Sequence, residues 1–340
     1  IEKVRKCREK LKDKADLTKY TTMDFIQDLE DVRKALGYDR INLIGGSYGT
    51  RAAFVYLRMY PNAIRSAVLS GVSPPTQLAP LSYPKDAQQS LDGLFNQCKL
   101  DETCKNNFPD PAKYLQSILN RFDKEGTIKT RINISENEKK DVELTRSVFA
   151  ERLRFMLYSN GSRSKVPLLL HQAAQRNFQP FTQLAYEFGH ETFPGVNFPL
   201  LLSVTCLEEL QFISPEEAKR EADGSFYGLG RYSDQSAACA EWPHREFPKE
   251  ITNAVKFDGP VLMVSGTLDP VTPPHWSYDA LKTLPRGKVI ELPGEAHYSG
   301  PCVAELATDF IAKGTADLSK SCEHKPQTIP FAVGPRIILP

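Results

Sequence analysis

The sequence predicts an α/β fold: a mostly parallel sheet interrupted by a mostly helical insertion. Three observations carry this. Short apolar runs at 41–44, 66–70, 260–264 and 288–292 have the length and composition of buried parallel strands. Helical patterns separate the first two runs and the last two, and strand–helix–strand alternation implies parallel pairing. From about Asp86 to Lys256 the strand runs give way to helical stripes. The expected divisions are 1–85 for the first part of the sheet core, 86–256 for a helical cap or lid, and 257–340 for the remainder of the core. A chain of 340 residues, 41% apolar and 25% charged, is long enough to bury a sizeable core with such an insertion.

In chain order, the basic start from Lys3 to Lys14 alternates with acids and reads as a solvated helix face. Thr21-Thr-Met-Asp24 has capping-box spacing and opens a helix that puts Phe25, Leu29, Val32 and Leu36 on one face, with Gly37 closing it. The run Ile41-Asn-Leu-Ile44 leads into Gly45-Gly-Ser-Tyr-Gly49, after which an Ala-rich helix, Thr50 to Tyr60, stops at Pro61. The strand at 66–70 leaves the sheet through Pro74-Pro75. In the insertion, Leu91, Leu94, Phe95 and Cys98 form one stripe, Tyr114, Leu115, Ile118 and Phe122 a second, and Leu153, Met156 and Leu157 a third. Thr127 to Ile134 alone hints at strand alternation, as a small hairpin. Ser214-Pro-Glu-Glu217 combines a cap serine, a first-turn proline and a glutamate at the third position, a helix start. Pro260-Val-Leu-Met-Val264 resumes the sheet, a helix at 276–284 and the strand at 288–292 follow, and a last helix carries Val303, Leu306 and Phe310.

Gly45-Gly-Ser-Tyr-Gly49 fits G-x-S-x-G, which between a strand and a helix forms a sharp turn that exposes a serine. Glycines flank such a serine because strand and helix approach closely. A serine hydroxyl becomes a nucleophile only when a histidine takes its proton, and an acid must orient that histidine. Six histidines compete: His171, His190, His244, His275, His297 and His324. Of these, His297 follows a strand late in the chain, in a Gly-containing loop. Asp269 follows the strand 260–264, whereas Asp258 precedes it and lies at the wrong end. Taken singly, Asp269 before Pro270 also reads as a turn residue and His297 as a surface histidine; their order and their placement after strands together favour a Ser47, Asp269, His297 triad.

Composition narrows the partners. A net charge of +1 gives no reason to expect nucleic acid or an anionic membrane, and no apolar run approaches the roughly 18 residues of a membrane span. The seven cysteines lack C-x-x-C spacing and do not cluster with histidines, so a zinc site is not expected. A disulfide framework with one cysteine left over, in an oxidising compartment, is the expectation; buried thiols in a cytosolic enzyme are the alternative. The proposed chemistry needs no metal or organic cofactor.

The chain resembles the tripeptidyl and prolyl aminopeptidase-like branch of the α/β hydrolases. The resemblance rests on Tyr20-Thr-Thr, Asp28-Leu and Arg33-Lys-Ala-Leu-Gly37, then Gly46-Ser-Tyr-Gly-Thr50, Tyr60-Pro61 and Val68-Leu69, with Cys206, Cys239-Ala-Glu-Trp-Pro243, Pro260-Val-Leu, Gly266-Thr-Leu-Asp-Pro-Val-Thr-Pro273, His297 to Cys302 and Cys322. It implies an α/β-hydrolase core, an acyl-enzyme serine aminopeptidase, and Ser47, Asp269 and His297 as nucleophile, orienting acid and general base. It implies that the Tyr48 backbone N–H is one oxyanion donor, and that cap carboxylates bind the free N-terminus of a peptide. Glu208 is the best match for such a carboxylate; Glu209 and Glu241 fit equally well as solvated helix-surface acids. Implied bridges are Cys98–Cys104, Cys206–Cys239 and Cys302–Cys322, with Cys7 the odd one, and a secreted or periplasmic location. The strands and the loop with the second oxyanion donor that such proteins carry before the elbow are not recognisable, so an N-terminally incomplete chain of weak activity by itself is expected, with an exposed apolar edge on the elbow strand. An esterase or lipase-like hydrolase of small esters, and a catalytically silent binding protein of the same fold, are the alternative functions.

Overall fold

The computed structural model describes residues 1–135, 137–191, 196–297, 300–313 and 330–334, without the side chains at 188–191 and 300–302. Helices α1 (Glu2–Leu11) and α2 (Thr22–Ala35) lead to strand β1 (Ile41–Gly46), helix α3 (Tyr48–Met59) and strand β2 (Ile64–Ser70). A helical stretch follows: α4 (Ala79–Leu100), α5 (Glu102–Asn107), α6 (Pro111–Glu125), then a hairpin of β3 (Thr127–Asn133) and β4 (Lys139–Thr145). It continues through α7 (Arg146–Met156), α8 (Asn160–Arg163), α9 (Val166–Ala174), α10 (Gln179–Glu191), α11 (Phe198–Glu208), α12 (Pro215–Ala222) and α13 (Gly230–Cys239). Strand β5 (Val261–Gly266), helix α14 (Pro274–Leu281), strand β6 (Gly287–Leu292) and helix α15 (Gly300–Lys313) complete the described elements.

Among the described residues β1, β2, β5 and β6 form one parallel sheet in the order β1-β2-β5-β6. Side chains alternate across it, as the pleat requires. Ala67, Leu69, Val261 and Met263 face a core with Ile26, Phe54, Tyr56 and Leu57 of α2 and α3. Val68, Leu262 and Val264 face the opposite layer, with Val303, Leu306 and Phe310 of α15. β5 is buried at every position, which is why its sequence is continuously apolar from Val261 to Val264 rather than alternating. β1 is an edge strand whose Ile44 is 70% exposed. A separate core belongs to the helical stretch and includes Leu91, Phe95, Ile118, Phe122, Phe149, Leu153 and Leu169.

One local expectation, the inward face of α2, needs correction, and the expected hairpin forms. The face of α2 that turns inward carries Thr22, Ile26 and Glu30, while Phe25, Val32 and Leu36 are 52%, 53% and 64% exposed. A polar residue can hold that inward position because Arg33 binds the Glu30 carboxylate at 2.7 and 2.8 Å and the Tyr56 hydroxyl donates to it at 2.7 Å. A buried carboxylate with three such donors no longer behaves as a polar residue in the periodicity. The hairpin strand at 127 pairs antiparallel with Lys139–Thr145, a second strand hidden by its charged start. The helix caps at Thr21 and Ser214 form as expected, the latter a reciprocal capping box with Glu217.

Two disulfides, Cys98–Cys104 and Cys206–Cys239, are present. The first ties the end of α4 to α5 and the second joins α11 to α13. The expected Cys302–Cys322 bridge lies outside the described residues. Cys7 is free and packs beside Val4, Leu17, Leu202 and Trp242. Among the described residues no helix is long and apolar enough to cross a membrane.

Candidate active site

Ser47 sits between β1 and α3 with φ 52° and ψ −125°, a backbone conformation that costs a non-glycine residue on the order of 1–3 kcal/mol and persists only where the surroundings enforce it. Here they do. The Ser47 N–H donates to Ser70 O at 2.9 Å, and its carbonyl accepts from the Thr50 N–H at 2.9 Å and the Thr50 hydroxyl at 2.7 Å. Of the flanking glycines, Gly45 is the one that sterics demand: a Cβ there would lie 2.6 Å from Gly49 O and 2.8 Å from Gly49 C. At Gly49 itself a Cβ would enter open space, so the expectation that both glycines are forced by close approach holds for Gly45 alone.

Asp269 and His297 come from the loops that follow β5 and β6. The two loops approach closely at Gly266, where a Cβ would fall 2.2 Å from Ala296 O. Hydrogen bonds from Leu268 N to Glu295 O (2.8 Å) and from Gly294 N to the Thr267 hydroxyl (2.9 Å) lock them together. His297 Nδ1 lies 2.8 Å from Asp269 Oδ2, and Nε2 lies 2.9 Å from Ser47 Oγ. An ionised carboxylate only accepts, so Nδ1 carries the hydrogen and Nε2 offers its lone pair to the serine. Asp269 is buried and accepts further bonds from Val271 N (2.8 Å), Thr272 N (2.9 Å) and the Thr272 hydroxyl (2.7 Å). Burial pushes its pKa up, but His297 and the Thr272 donors outweigh burial and hold the carboxyl below its ordinary range. None of the other histidines shows a described bond to Ser47; His275, for instance, pairs with Asp86 at 2.8 Å.

Tyr48 begins α3, so its N–H is one of the first-turn amides that a helix leaves without an internal partner. Its hydroxyl lies 2.8 Å from the Thr22 hydroxyl, and through Thr22 the elbow reaches the carboxylates read from the sequence. Glu208, the last residue of α11, is buried; it accepts from the Thr22 N–H and, at 2.7 Å, from the Thr22 hydroxyl. Arg51, one turn into α3, lies 3.9 Å from Glu208 and 3.3 Å from Glu209, both pairs buried. Burial pushes both glutamates up, against the pull of Arg51. Two carboxylates thus share one guanidinium that also donates to Gln77 O at 2.9 Å, and Glu209 Oε2 is buried without a hydrogen-bond partner. Glu241 is elsewhere: it pairs with Arg5 at 2.5 Å and Arg8 at 3.8 Å of α1, near the surface.

Thr22, Arg51 and Thr272 were not singled out from the sequence. Thr272 stands three residues after Asp269 within Asp-Pro-Val-Thr, a spacing that suits a hydroxyl folding back on the carboxylate. Arg51 is a basic residue directly before the apolar run Ala52-Ala-Phe-Val55, a mark of a buried ion pair. Among the described residues no group of three or more His, Cys, Asp or Glu could hold a metal ion.

Residues 5–300 match the family profile described as alpha/beta hydrolase fold. The serine protease Hip1 of Mycobacterium tuberculosis (strain ATCC 25618 / H37Rv) is 24% identical over 314 residues, covering 86% of this chain and 60% of that protein. The chain therefore spans 60% of the length of that curated relative. A proline iminopeptidase of Xylella fastidiosa (strain 9a5c) is 40% identical over 58 residues, 17% of this chain and 18% of that one. Among solved structures, an alpha/beta hydrolase enzyme from a Medee basin deep-sea metagenome library aligns with a TM-score of 0.35 and 14% identity, over 88% of this chain and 74% of that chain.

Proposed function

We propose that this chain, which belongs to the alpha/beta hydrolase fold family, is a serine hydrolase that releases N-terminal residues or short peptides through an acyl-enzyme. The observation that supports this most is the unbroken line from Ser47 Oγ through His297 to Asp269, at 2.9 and 2.8 Å. In this reading His297 Nε2 takes the serine proton as Oγ attacks the scissile carbonyl, and Asp269 stabilises the imidazolium without accepting its proton. The Tyr48 N–H would donate to the carbonyl oxygen as it gains charge. His297 then passes the proton to the departing amine, and a water attacks the acyl group by the same route. We assign the helical residues 86–256 as a cap over this site.

The aminopeptidase part of the reading rests on Glu208 and Glu209. The two carboxylates share one buried guanidinium, and Glu209 Oε2 is buried without a hydrogen-bond partner. A substrate α-ammonium would supply the missing donor. A hydrogen bond to a charged group contributes about 1.5–3 kcal/mol, roughly ten- to a hundredfold between free and blocked N-termini. Glu241, held by Arg5 and Arg8, is not given this role. The relatives named a serine protease and a proline iminopeptidase support peptide substrates, and the two disulfides support an oxidising, extracytoplasmic compartment.

The test is hydrolysis of a chromogenic peptide with a free N-terminus and of its acetylated counterpart, by the wild type and by Ser47→Ala. Hydrolysis lost in Ser47→Ala and at least tenfold slower on the acetylated peptide is expected. Equal rates on both peptides would remove the aminopeptidase assignment in favour of an esterase-like hydrolase. No labelling of Ser47 by a fluorophosphonate would remove the hydrolase assignment altogether.

A further inference from the structure

Helix α7 ends at Met156, and the turn that follows it carries Tyr158, four positions after Arg154 of the last helical turn. Arg154 is buried. Its guanidinium carbon lies 4.2 Å from the Tyr83 ring centre, 4.8 Å from Phe155, 5.4 Å from Tyr158 and 5.5 Å from Tyr227. Glu151 lies 3.4 Å from it and also binds Arg231 at 3.2 Å and the Tyr227 hydroxyl. Burying a guanidinium is costly, and core packing alone would be served by an aliphatic side chain. What Arg154 adds is direction: Nη1 donates to the Tyr158 hydroxyl at 2.8 Å.

Tyr158 in turn meets His297 twice. Its carbonyl accepts the His297 backbone N–H at 3.2 Å, and its ring lies 5.0 Å from the imidazole, centre to centre, inclined at 67°. The Nδ1 bond to Asp269 fixes one point of the imidazole and leaves rotation about that bond direction open. A ring set against the imidazole's flank closes that rotation and holds Nε2 toward Ser47. We infer that Tyr158, anchored by Arg154, is a positioning residue for His297, an inference that rests on His297 being the general base. The helical region thereby aligns the triad as well as covering it, since Tyr83 and Tyr227 hold Arg154 from α4 and from the segment before α13.

Misplacing a reacting group by about 1 Å costs on the order of a hundredfold, which sets the expected effect. Steady-state hydrolysis of a small N-blocked acyl ester, which does not draw on Glu208 or Glu209, is compared across Tyr158→Phe, Tyr158→Leu, Arg154→Met and the double variant Arg154→Met/Tyr158→Phe. Tyr158→Leu should lower kcat about a hundredfold with KM within about twofold, and Tyr158→Phe about three- to tenfold. The double variant should be no slower than Arg154→Met alone, because the arginine acts through the tyrosine hydroxyl. The far-downfield proton resonance of the His297 Nδ1–H should broaden in Tyr158→Leu and be restored in Tyr158→Phe. Melting curves establish that each variant is folded; if Arg154→Met is not, the two Tyr158 variants carry the test. A folded Tyr158→Leu with kcat within twofold of wild type, or with an unchanged resonance, would overturn the inference. Failure of the wild type to hydrolyse any ester or to react with a fluorophosphonate removes the hydrolase reading instead, and the resonance then decides the positioning role without turnover.

Discussion

Replacing Asp269 by asparagine isolates the orienting acid from every other feature of the site. Asp269 Oδ1 accepts two backbone N–H groups, from Val271 and Thr272, while Oδ2 faces the Thr272 hydroxyl and His297 Nδ1. An asparagine can meet this environment in two ways. With its amide nitrogen toward the backbone, two buried donors would face a third, at about 1–3 kcal/mol for each group left unsatisfied. With its oxygen toward the backbone, both N–H bonds survive and the amide NH2 takes the place of Oδ2. The second arrangement is favoured, and it presents a donor to His297 Nδ1. The imidazole must then carry its hydrogen on Nε2, pointing at Ser47, and has no lone pair to take the serine proton.

The loss expected from this wrong tautomer is about 10⁴-fold in kcat, close to 5.4 kcal/mol at 1.36 kcal/mol per decade. Little of it should arise from unfolding, because asparagine has the shape of aspartate and brings no unpaired charge. The assay is kcat for an acyl ester and for a free-N-terminal peptide, with a melting curve on the same sample. Activity within about tenfold of wild type in a folded Asp269→Asn protein would refute the assignment of Asp269 and, with it, the direction of proton flow in the proposed mechanism.

Other outcomes follow from other contacts. Gly45→Ala forces a Cβ to within 2.6 Å of Gly49 O; it should cost about 1–3 kcal/mol in a melt and slow fluorophosphonate labelling of Ser47, while Gly49→Ala, facing open space, should leave the melt nearly unchanged. Arg33 holds the Glu30 carboxyl down to about 2 from an ordinary 4.5. A depressed acid stabilises the fold fully above its unfolded value and loses that contribution as pH falls, so the melting gap between wild type and Glu30→Gln should be widest near neutrality and close between pH 4.5 and 2. Breaking Cys206–Cys239, a closure of 33 residues, should cost about 4 kcal/mol by the chain-entropy account. Because Cys206 lies two residues before Glu208, the buried end of α11, Cys239→Ser should also raise KM for free-N-terminal peptides more than for esters, measured side by side.

The parts of this molecule that were legible in its sequence are those whose causes are local. An apolar strand run, a glycine without room for a Cβ, a serine and an Ala-rich helix follow one another between Ile41 and Met59, and Asp269 and His297 each follow a strand at short range. What was not legible shares one character: a polar residue buried against a partner remote in the chain or on a face assumed to be solvated. Glu30 disrupts the apolar stripe of α2 because Arg33 and Tyr56 neutralise it, so the face marked by Phe25, Val32 and Leu36 points the other way. Thr22 binds Glu208 across 186 positions, and Arg154 depends on Tyr83 and Tyr227 from two other segments. Periodicity assigns such residues to solvent, since it weighs each side chain without its partner. The consequence is functional as well as structural. Thr272 touches His297 directly, Arg154 reaches it through Tyr158, Thr22 meets the elbow at Tyr48, and Arg51 connects to the elbow through Glu208, Thr22 and Tyr48, so the polar groups that are hardest to read from a sequence are the ones that surround its most readable motif.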